Sequence, residues 1–176
     1  MLVSQDRGKT FRIAEVYQAD GTKKITGNVK VFSDRVDSSL FYGFGDHSDF
    51  YVSRDGGLTF HEKKLPAEFP CVDFGKIDCA SKTEVRGGVF YLALAEQGLW
   101  KLRYDRETEE NGAEEKITVK RLSGEGDTVF CVGLGIGRPG GDYYTEEKAL
   151  YVSGRIGGHY GFYRTLDEGR TFERLN

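Results

Sequence analysis

Three carboxylates of the chain recur in one sequence pattern, [S/T]-x-D-x-G-x-T-F. Carboxylates at fixed positions of a repeat could act as general acids or bases. In a tight turn, however, Asp and Ser or Thr side chains hydrogen-bond to nearby backbone groups, and Gly supplies a positive φ. We therefore interpret the pattern, called the Asp box below, as a structural hairpin. Its copies are SQDRGKTF at 4–11, SRDGGLTF at 53–60 and TLDEGRTF at 165–172.

A fourth, degenerate copy is predicted near Asp105. There Arg103 replaces the Ser or Thr, and the charged insert ETEENGAEE interrupts the hairpin. Successive box aspartates are 49, 50 and 62 residues apart, a period that suits a four-stranded propeller blade. The structural box residues are Ser4, Asp6 and Gly8, then Ser53, Asp55 and Gly57, then Asp105, and finally Thr165, Asp167 and Gly169.

The elements that would position these boxes are short apolar strands, with each box joining the third and fourth strands of a blade. We predict first strands at 29–32, 75–80 and 129–134, and second strands at 40–43, 90–95 and 149–154. The fold class is all-β: a partial β-propeller of about three and a half four-stranded antiparallel blades with Asp-box hairpins. Residues 1–176 would form one incomplete propeller fragment, with a half blade at 1–13 and blades at 28–65, 72–122 and 128–176.

A propeller ring must close on itself to protect its sheet edges, and rings usually have about four to eight blades. Three and a half blades fall short of that, so we expect the remaining blades to come from a longer parent protein or from associated copies.

Ligand sites in a propeller favour the face formed by the turns between second and third strands. The opposite face holds the boxes, the charged insert and the loop at 137–148, which we interpret as solvated. Gly157 and Gly158 permit close backbone approach, while an aromatic ring and charged donors suit sugar recognition. Asp49 and Gln97 lie in two of these turns. The substrate-binding candidates are Asp46, His47, Glu96, Arg155, His159 and Tyr160.

Composition argues against several other classes of function. The 25 Lys and Arg against 28 Asp and Glu give a net charge of −3 without a basic stripe, so no nucleic-acid partner is expected. No apolar run is long enough to span a membrane, and no export signal is recognisable. Cys71, Cys79 and Cys131 lack metal-ligand spacing and are interpreted as reduced core thiols. Neither a metal nor a cofactor is expected.

The stretch ALYVSGRIGGHYGFYRTLDEGRTFERLN resembles the closing blade of the two-propeller, xyloglucan-active glycoside hydrolases of family 74. SSLFYGFGDHSDFYVSRDGGLTF, FYLALAEQGLWKL and VFCVGLGIGRPG are similar to preceding segments in the same order. The resemblance therefore covers most of residues 29–176, in the C-terminal part of the second propeller. Boxes alone also occur in sialidases, sortilin-like receptors and photosystem assembly factors, so the order of the segments carries this assignment.

The resemblance implies an endo- or exo-acting β-1,4-glucanase that works on xyloglucan with inversion. Two Asp carboxylates, about 6.5–9.5 Å apart, would act as acid and base. Family members place one near the start of each propeller, so no catalytic residue is carried over to this chain, which alone is expected to be inactive. The family is typically secreted. The alternative is a non-catalytic Asp-box propeller that acts as a binding or scaffold module.

Overall fold

The computed structural model describes residues 1–24, 29–34, 37–73, 75, 77–84, 87–105, 115–136 and 148–176. Within those residues, fifteen β-strands and one short 3-10 turn, Asp46–Ser48, make up the regular structure. The chain divides into two compact units, Met1–Gly75 and Lys76–Asn176.

The first unit contains a two-stranded and a five-stranded sheet. The two-stranded sheet is antiparallel and encloses the first box; its strands are β1 (Leu2–Val3) and β2 (Arg12–Ile13). The larger sheet has the order β3-β7-β6-β5-β4. Its strands are β3 (Glu15–Tyr17), β4 (Val29–Ser33), β5 (Phe41–Gly45), β6 (Phe50–Ser53) and β7 (Thr59–Lys63).

The core strands of this sheet are near-continuous apolar runs, because both of their faces are covered. Tyr42, Phe44 and Phe50 are fully buried, and the rings of Phe44 and Phe50 lie 5.0 Å apart between centroids. On the other face, Tyr51 and Phe60 pack with Ala14 and Val16, and Met1, Val3, Val29 and Phe41 lie against that cluster. The two-stranded sheet is thereby joined to the five-stranded one by apolar packing.

The second unit consists of two four-stranded antiparallel meanders. The first has the order β11-β10-β9-β8 and the second the order β12-β13-β14-β15. The first is formed by β8 (Asp78–Glu84), β9 (Gly87–Ala93), β10 (Leu99–Asp105) and β11 (Lys116–Arg121). The second is formed by β12 (Thr128–Ile136), β13 (Lys148–Ile156), β14 (His159–Thr165) and β15 (Glu173–Arg174).

These two sheets share one core, in which alternate residues of each strand face the partner sheet. From β9 and β10 it receives Val89, Tyr91, Ala93 and Leu99. From the next sheet it receives Val129, Val132, Leu150, Val152 and Tyr163, with Phe172 of the third box packed against it. The outermost strand β11 instead alternates between exposed and half-buried residues, because one of its faces is open to solvent.

The structure confirms the all-β class and the four-stranded antiparallel sheets. The second and third boxes join the third and fourth strands of such sheets, whereas the first box joins the two strands of the two-stranded sheet. One feature was not predicted: β3 pairs in parallel with β7 and adds a fifth strand to the first large sheet. The strand predicted at 75–80 instead spans 78–84, where it pairs with β9.

The interpretation of the cysteines as core thiols is wrong for Cys71 and Cys131, which are free but exposed. Their apolar neighbours suggested burial, yet Cys131 lies beside a bulge at Val129 and on the outer face of its sheet. The side chain of Cys79 lies outside the described residues, as do loop residues 137–147 and residues 106–114, which include most of the charged insert.

Candidate functional site

In the first and third boxes the carboxylate is held inside its own hairpin. Asp6 accepts hydrogen bonds from the Thr10 backbone N–H (2.8 Å) and from the hydroxyls of Thr10 (2.6 Å) and Ser4 (2.9 Å). The Ser4 hydroxyl in turn accepts the N–H of Gly8 at 2.7 Å. Asp167 repeats this pattern with Thr165, Gly169 and Thr171.

The second box makes the same bonds in a more buried setting. Asp55 accepts the Ser53 hydroxyl at 2.8 Å, the Thr59 hydroxyl at 2.6 Å and the backbone N–H groups of Leu58 and Thr59. Ser53 is fully buried and accepts the N–H of Gly57 at 3.0 Å. Every carboxylate oxygen of these boxes is therefore engaged in holding a turn.

These bonds favour the ionised carboxylate and so lower its pKa. Hydrogen bonds from the side chain and backbone of Thr10 lower the pKa of Asp6 to about 2, and those of Thr171 lower the pKa of Asp167 to about 2. Burial raises the pKa of Asp55, but the bonds from Thr59 and Ser53 outweigh it, so that its pKa is also lowered. A carboxylate that is already ionised near pH 2 makes a poor general acid at neutral pH.

Asp105 differs from the three other box aspartates. It pairs with Arg103 Nε at 2.6 Å, and both side chains are partly exposed. Arg103 lies opposite Val89, on the sheet face that packs against β12–β15. Thr165, the corresponding residue of the third box, lies opposite Leu150, on the sheet face that packs against β9. The register of Asp105 is therefore out of phase with that of Asp167. The following residues of this degenerate copy lie outside the described part of the chain.

The turns between second and third strands present most of the predicted ligand contacts to solvent. In the first unit the Asp46–Ser48 turn joins β5 to β6, and His47 is exposed with φ of +59°. The turn is closed by a hydrogen bond from Gly45 N–H to the Asp49 carbonyl at 2.8 Å. Asp46 is half-buried.

A lysine that the sequence analysis missed lies beside this turn. Lys24 Nζ is 2.7 Å from Asp49 Oδ2 and 3.0 Å from the Tyr51 hydroxyl, and Tyr51 also donates to Asp49 at 2.8 Å. The bonds to Asp49 and Tyr51 raise the pKa of Lys24, and burial raises the pKa of Tyr51 to about 12. Lys24 is therefore a fixed cation next to the candidate turn.

In the second unit, Glu96 lies exposed at the tip of the β9–β10 turn. The turn is tight: Leu94 N–H donates to the Gly98 carbonyl at 2.9 Å, and Ala95 has φ of +49°. The buried Trp100 donates its indole N–H to the Gln97 carbonyl at 2.8 Å. The indole fixes the backbone from which Glu96 projects.

The β13–β14 turn is a two-residue hairpin at Gly157 and Gly158. Their φ values of +57° and +85° match the positive φ that a type I′ turn needs at both central positions. Arg155 Nε donates to the Gly158 carbonyl at 3.2 Å, and the Tyr163 hydroxyl donates to the His159 carbonyl at 2.6 Å. Tyr160 keeps 65% of its surface exposed. These hydrogen bonds hold the backbone of the hairpin, and the Tyr160 ring is exposed to solvent.

A buried carboxylate, also missed from the sequence, holds this hairpin in place. Asp127 is 8% exposed and accepts the N–H of Gly157 at 2.8 Å and the N–H of Gly124 at 2.8 Å. It belongs to the link 122–127 between β11 and β12, whose Ser123 hydroxyl accepts the Leu99 N–H at 3.0 Å. This link therefore connects Leu99, at the start of β10, to the β13–β14 hairpin.

The same link also contacts the third box. A Cβ placed on Gly169 of the third box would lie only 2.3 Å from the Leu122 carbonyl oxygen. The link thus runs from the box of the last sheet at Leu122 to the glycine hairpin of the same sheet at Asp127.

Electrostatics and side-chain chemistry limit what these turns can do. In the described part of the chain, no cluster of three or more His, Cys, Asp or Glu side chains could hold a metal ion, and no helix could cross a membrane. Structurally, the chain is a set of Asp-box propeller sheets whose exposed turns carry aromatic, cationic and acidic groups. Groups of this kind suit recognition of a polar ligand.

No protein-family profile matches the chain. Over 146 residues, 83% of its length, it is 38% identical to the xyloglucanase Xgh74A of Acetivibrio thermocellus. Over 155 residues it is 30% identical to the probable oligoxyloglucan-reducing end-specific xyloglucanase of Neosartorya fischeri. The chain spans only 15% and 16% of the lengths of these two relatives.

Among solved structures, the GH74 xyloglucanase from Xanthomonas campestris matches 99% of the chain with a TM-score of 0.57. At 22% identity, and with 28% of that structure covered, this likeness bears on the fold alone. The two relatives show that the chain belongs to glycoside hydrolase family 74 and corresponds to a part of such a protein.

Proposed function

We propose that the chain is the C-terminal part of the second propeller of a xyloglucan-active β-1,4-glucanase. In this proposal its turns between second and third strands form one wall of the glycan-binding cleft, and the catalytic carboxylates lie outside the chain. The names of the relatives support the substrate, since both are xyloglucanases. The remaining blades of the parent protein would complete the ring.

The glycine hairpin of the last sheet is the best supported contact. Tyr160 offers an exposed ring that can cover the apolar face of a sugar, while Arg155 and His159 carry donors at the same turn. The hairpin is rigid because Asp127, Tyr163 and Arg174 bind its backbone. A preformed turn loses less conformational entropy when a ligand binds.

The other candidate turns would supply polar contacts. Asp46 and His47 in the first unit, next to the cation of Lys24, could pair with sugar hydroxyls, and Glu96 could do so in the second unit. Sugar hydroxyls both donate and accept, so a mixture of acidic and basic groups fits them better than a surface of one charge.

The engagement of the box carboxylates supports placing the catalytic pair elsewhere. Inverting hydrolysis needs one carboxylic acid to protonate the leaving oxygen and one carboxylate to activate water. The pKa values of Asp6 and Asp167, both lowered to about 2, leave neither able to serve as that acid at neutral pH.

The single observation that carries the proposal is the 38% identity to a xyloglucanase over 83% of the chain.

Titration of the chain with xyloglucan oligosaccharides by calorimetry tests this proposal. Tyr160→Ala should weaken binding about tenfold, the loss expected for one aromatic contact, whereas Tyr160→Phe should keep most of the affinity. Both variants should unfold at the temperature of the wild type, because the ring is exposed.

An assay for newly formed reducing ends completes the test. The chain should release none from xyloglucan, and hydrolysis by the chain alone would refute the placement of the catalytic pair. Absence of measurable binding would favour the alternative, a scaffold propeller without a glycan site on this segment.

A further inference from the structure

A lysine, a carboxylate and a tyrosine hydroxyl form a closed set of hydrogen bonds beside the β5–β6 turn. The Lys24 ammonium donates to Asp49 Oδ2 at 2.7 Å and to the Tyr51 hydroxyl at 3.0 Å. That hydroxyl in turn donates to Asp49 Oδ2 at 2.8 Å. Each of the three groups therefore fixes the other two. We call Lys24, Asp49 and Tyr51 the lysine triad.

The backbone that carries the lysine triad is held as well. The Lys24 N–H donates to the Val16 carbonyl at 2.7 Å, which ties the residues after β3 to that strand. The Asp49 carbonyl accepts the Gly45 N–H at 2.8 Å across the turn. A lysine side chain that is already ordered loses little further conformational entropy when a ligand binds to it. The lysine triad is therefore preorganised.

The lysine triad can still both donate and accept a hydrogen bond. An ammonium has three N–H donors, and among the described residues Lys24 uses two of them. Within the same part of the chain, both bonds to the Asp49 side chain go to Oδ2 and none goes to Oδ1. The side chains of Lys24 and Asp49 are 26% and 30% exposed, so a ligand can reach them.

The charges of the pair favour a neutral ligand. A lysine without a counter-ion would attract an anion, but the Asp49 carboxylate, 2.7 Å from the Lys24 ammonium, offsets that charge. A sugar hydroxyl both donates and accepts. Two neighbouring hydroxyls of one pyranose ring can therefore use the remaining donor of Lys24 and the remaining acceptor of Asp49 together.

We propose that Lys24 and Asp49 bind a vicinal diol of a neutral pyranose. Asp49 Oδ1 accepts a hydrogen bond from one hydroxyl, and the Lys24 ammonium donates to the other. Tyr51 does not touch the sugar; its hydroxyl positions both groups. This inference rests on the proposed function, because it adds a contact to the glycan-binding wall described there.

The adjacent lysine provides a matched comparison. Lys23 Nζ lies 2.6 Å from Glu15 Oε1, and the Tyr17 hydroxyl donates to Glu15 Oε2 at 2.6 Å. The two donors thus go to different oxygens of the carboxylate, and the side chains of Lys23 and Glu15 are 62% and 44% exposed. The chemistry of this pair is the same, but it is more exposed, and its carboxylate belongs to β3 and not to the β5–β6 turn.

Nuclear magnetic resonance of the chain, isotope-labelled at the lysine Cε atoms, follows both lysines directly. Spectra of Lys24→Met and Lys23→Met assign the two signals. A xyloglucan oligosaccharide should shift the Lys24 signal and leave the Lys23 signal unchanged. Cellotetraose, whose diols are all glucosyl, distinguishes the two sources of the diol. A shift with both sugars assigns the diol to the glucan backbone, and a shift with the xyloglucan oligosaccharide alone assigns it to a xylosyl branch.

Calorimetry with the xyloglucan oligosaccharide measures the contribution of each group. Lys24→Met and Asp49→Asn should each weaken binding about tenfold, the size expected for a lost hydrogen bond to a charged group. Lys23→Met should leave the affinity within about twofold of wild type, because it breaks only an exposed ion pair. Urea unfolding checks that each variant is folded, and the spectra of the wild-type chain do not depend on any variant.

Several outcomes would overturn the inference. An unshifted Lys24 signal, or an unchanged affinity of folded Lys24→Met, would do so, and weaker binding by Tyr160→Ala would then leave the proposed function standing. Equal losses for Lys23→Met and Lys24→Met would show that the lysine triad is not a specific site. A Lys24 signal that moved with inorganic phosphate and with neither sugar would identify an anion site instead. Absence of oligosaccharide binding to the wild-type chain would overturn this inference and the proposed function together.

Discussion

The box turns and the turns between second and third strands differ in where their polar groups are directed. In the boxes, Ser or Thr, Asp and the second Thr bond to one another and to the turn itself, as at Asp55. In the glycine hairpin the backbone is held by groups from elsewhere, such as Asp127, and Tyr160 remains exposed. The polar side chains of a box hold its own turn, whereas the hairpin leaves the Tyr160 ring exposed to solvent and available to a ligand.

The largest expected difference between the two kinds of turn comes from replacing one glycine of each by alanine. Gly169 of the third box and Gly158 of the hairpin have φ of +83° and +85°. A Cβ on Gly169 would meet the Leu122 carbonyl oxygen at 2.3 Å, whereas nothing lies within 4 Å of one on Gly158. We expect Gly169→Ala to cost about 3 kcal/mol, through strain and a backbone clash, and Gly158→Ala about 1 kcal/mol, through strain alone.

Urea unfolding of both variants and the wild type measures this. Equal losses would mean that the link at Leu122 yields easily and that the box is no more tightly packed than the hairpin.

The next comparison is between a box carboxylate that holds its turn and one that pairs with an arginine. Asp55→Ala removes the acceptor of the Ser53 hydroxyl, which is fully buried, and of two backbone N–H groups. We expect a loss of about 2 kcal/mol from broken bonds to a charged group. Among the described residues, Asp105→Ala removes a partly exposed pair with Arg103, and it should cost less than about 1 kcal/mol.

Chemical denaturation at pH 7 separates the two cases. A loss for Asp105→Ala as large as that for Asp55→Ala would show that the degenerate copy also holds its hairpin.

The sequence made the boxes and sheets predictable because both depend on local patterns. A Ser or Thr, an Asp, a Gly and a Thr at fixed spacing satisfy one another within eight residues, so no distant partner is needed. The positions of the β5–β6, β9–β10 and β13–β14 turns follow from the same register. The glycan-contact role of Arg155, His159 and Tyr160 remains a prediction.

What the sequence could not reveal depends on contacts between distant segments. Asp127 reads as an ordinary turn residue in SGEGD, and only the approach of Gly157, thirty residues on, makes it a buried acceptor. Lys24 joins Asp49 across twenty-five residues. Asp105 matched the box spacing, yet the strand register turns it to the other face. The exposure of Cys131 likewise follows from which face of the last sheet is covered.

The smallest expected effect concerns pH and also separates the box from the hairpin. The pKa of Asp167 is lowered from 3.8 to about 2 in the folded protein, by the side-chain and backbone hydrogen bonds of Thr171 first. Because the folded pKa is depressed, the bonds stabilise the fold fully above the unfolded pKa. That contribution is lost as pH falls from about 4 towards 2.

The difference in free energy of unfolding between wild type and Asp167→Asn should therefore be constant above about pH 5 and shrink below pH 4. Tyr160→Phe, which leaves every carboxylate in place, provides the hairpin control and should differ from wild type by a constant amount at every pH. Urea titrations between pH 2 and 6 measure both. A difference for Asp167→Asn that stayed constant down to pH 2 would mean that the carboxylate gains nothing from its turn in the folded state.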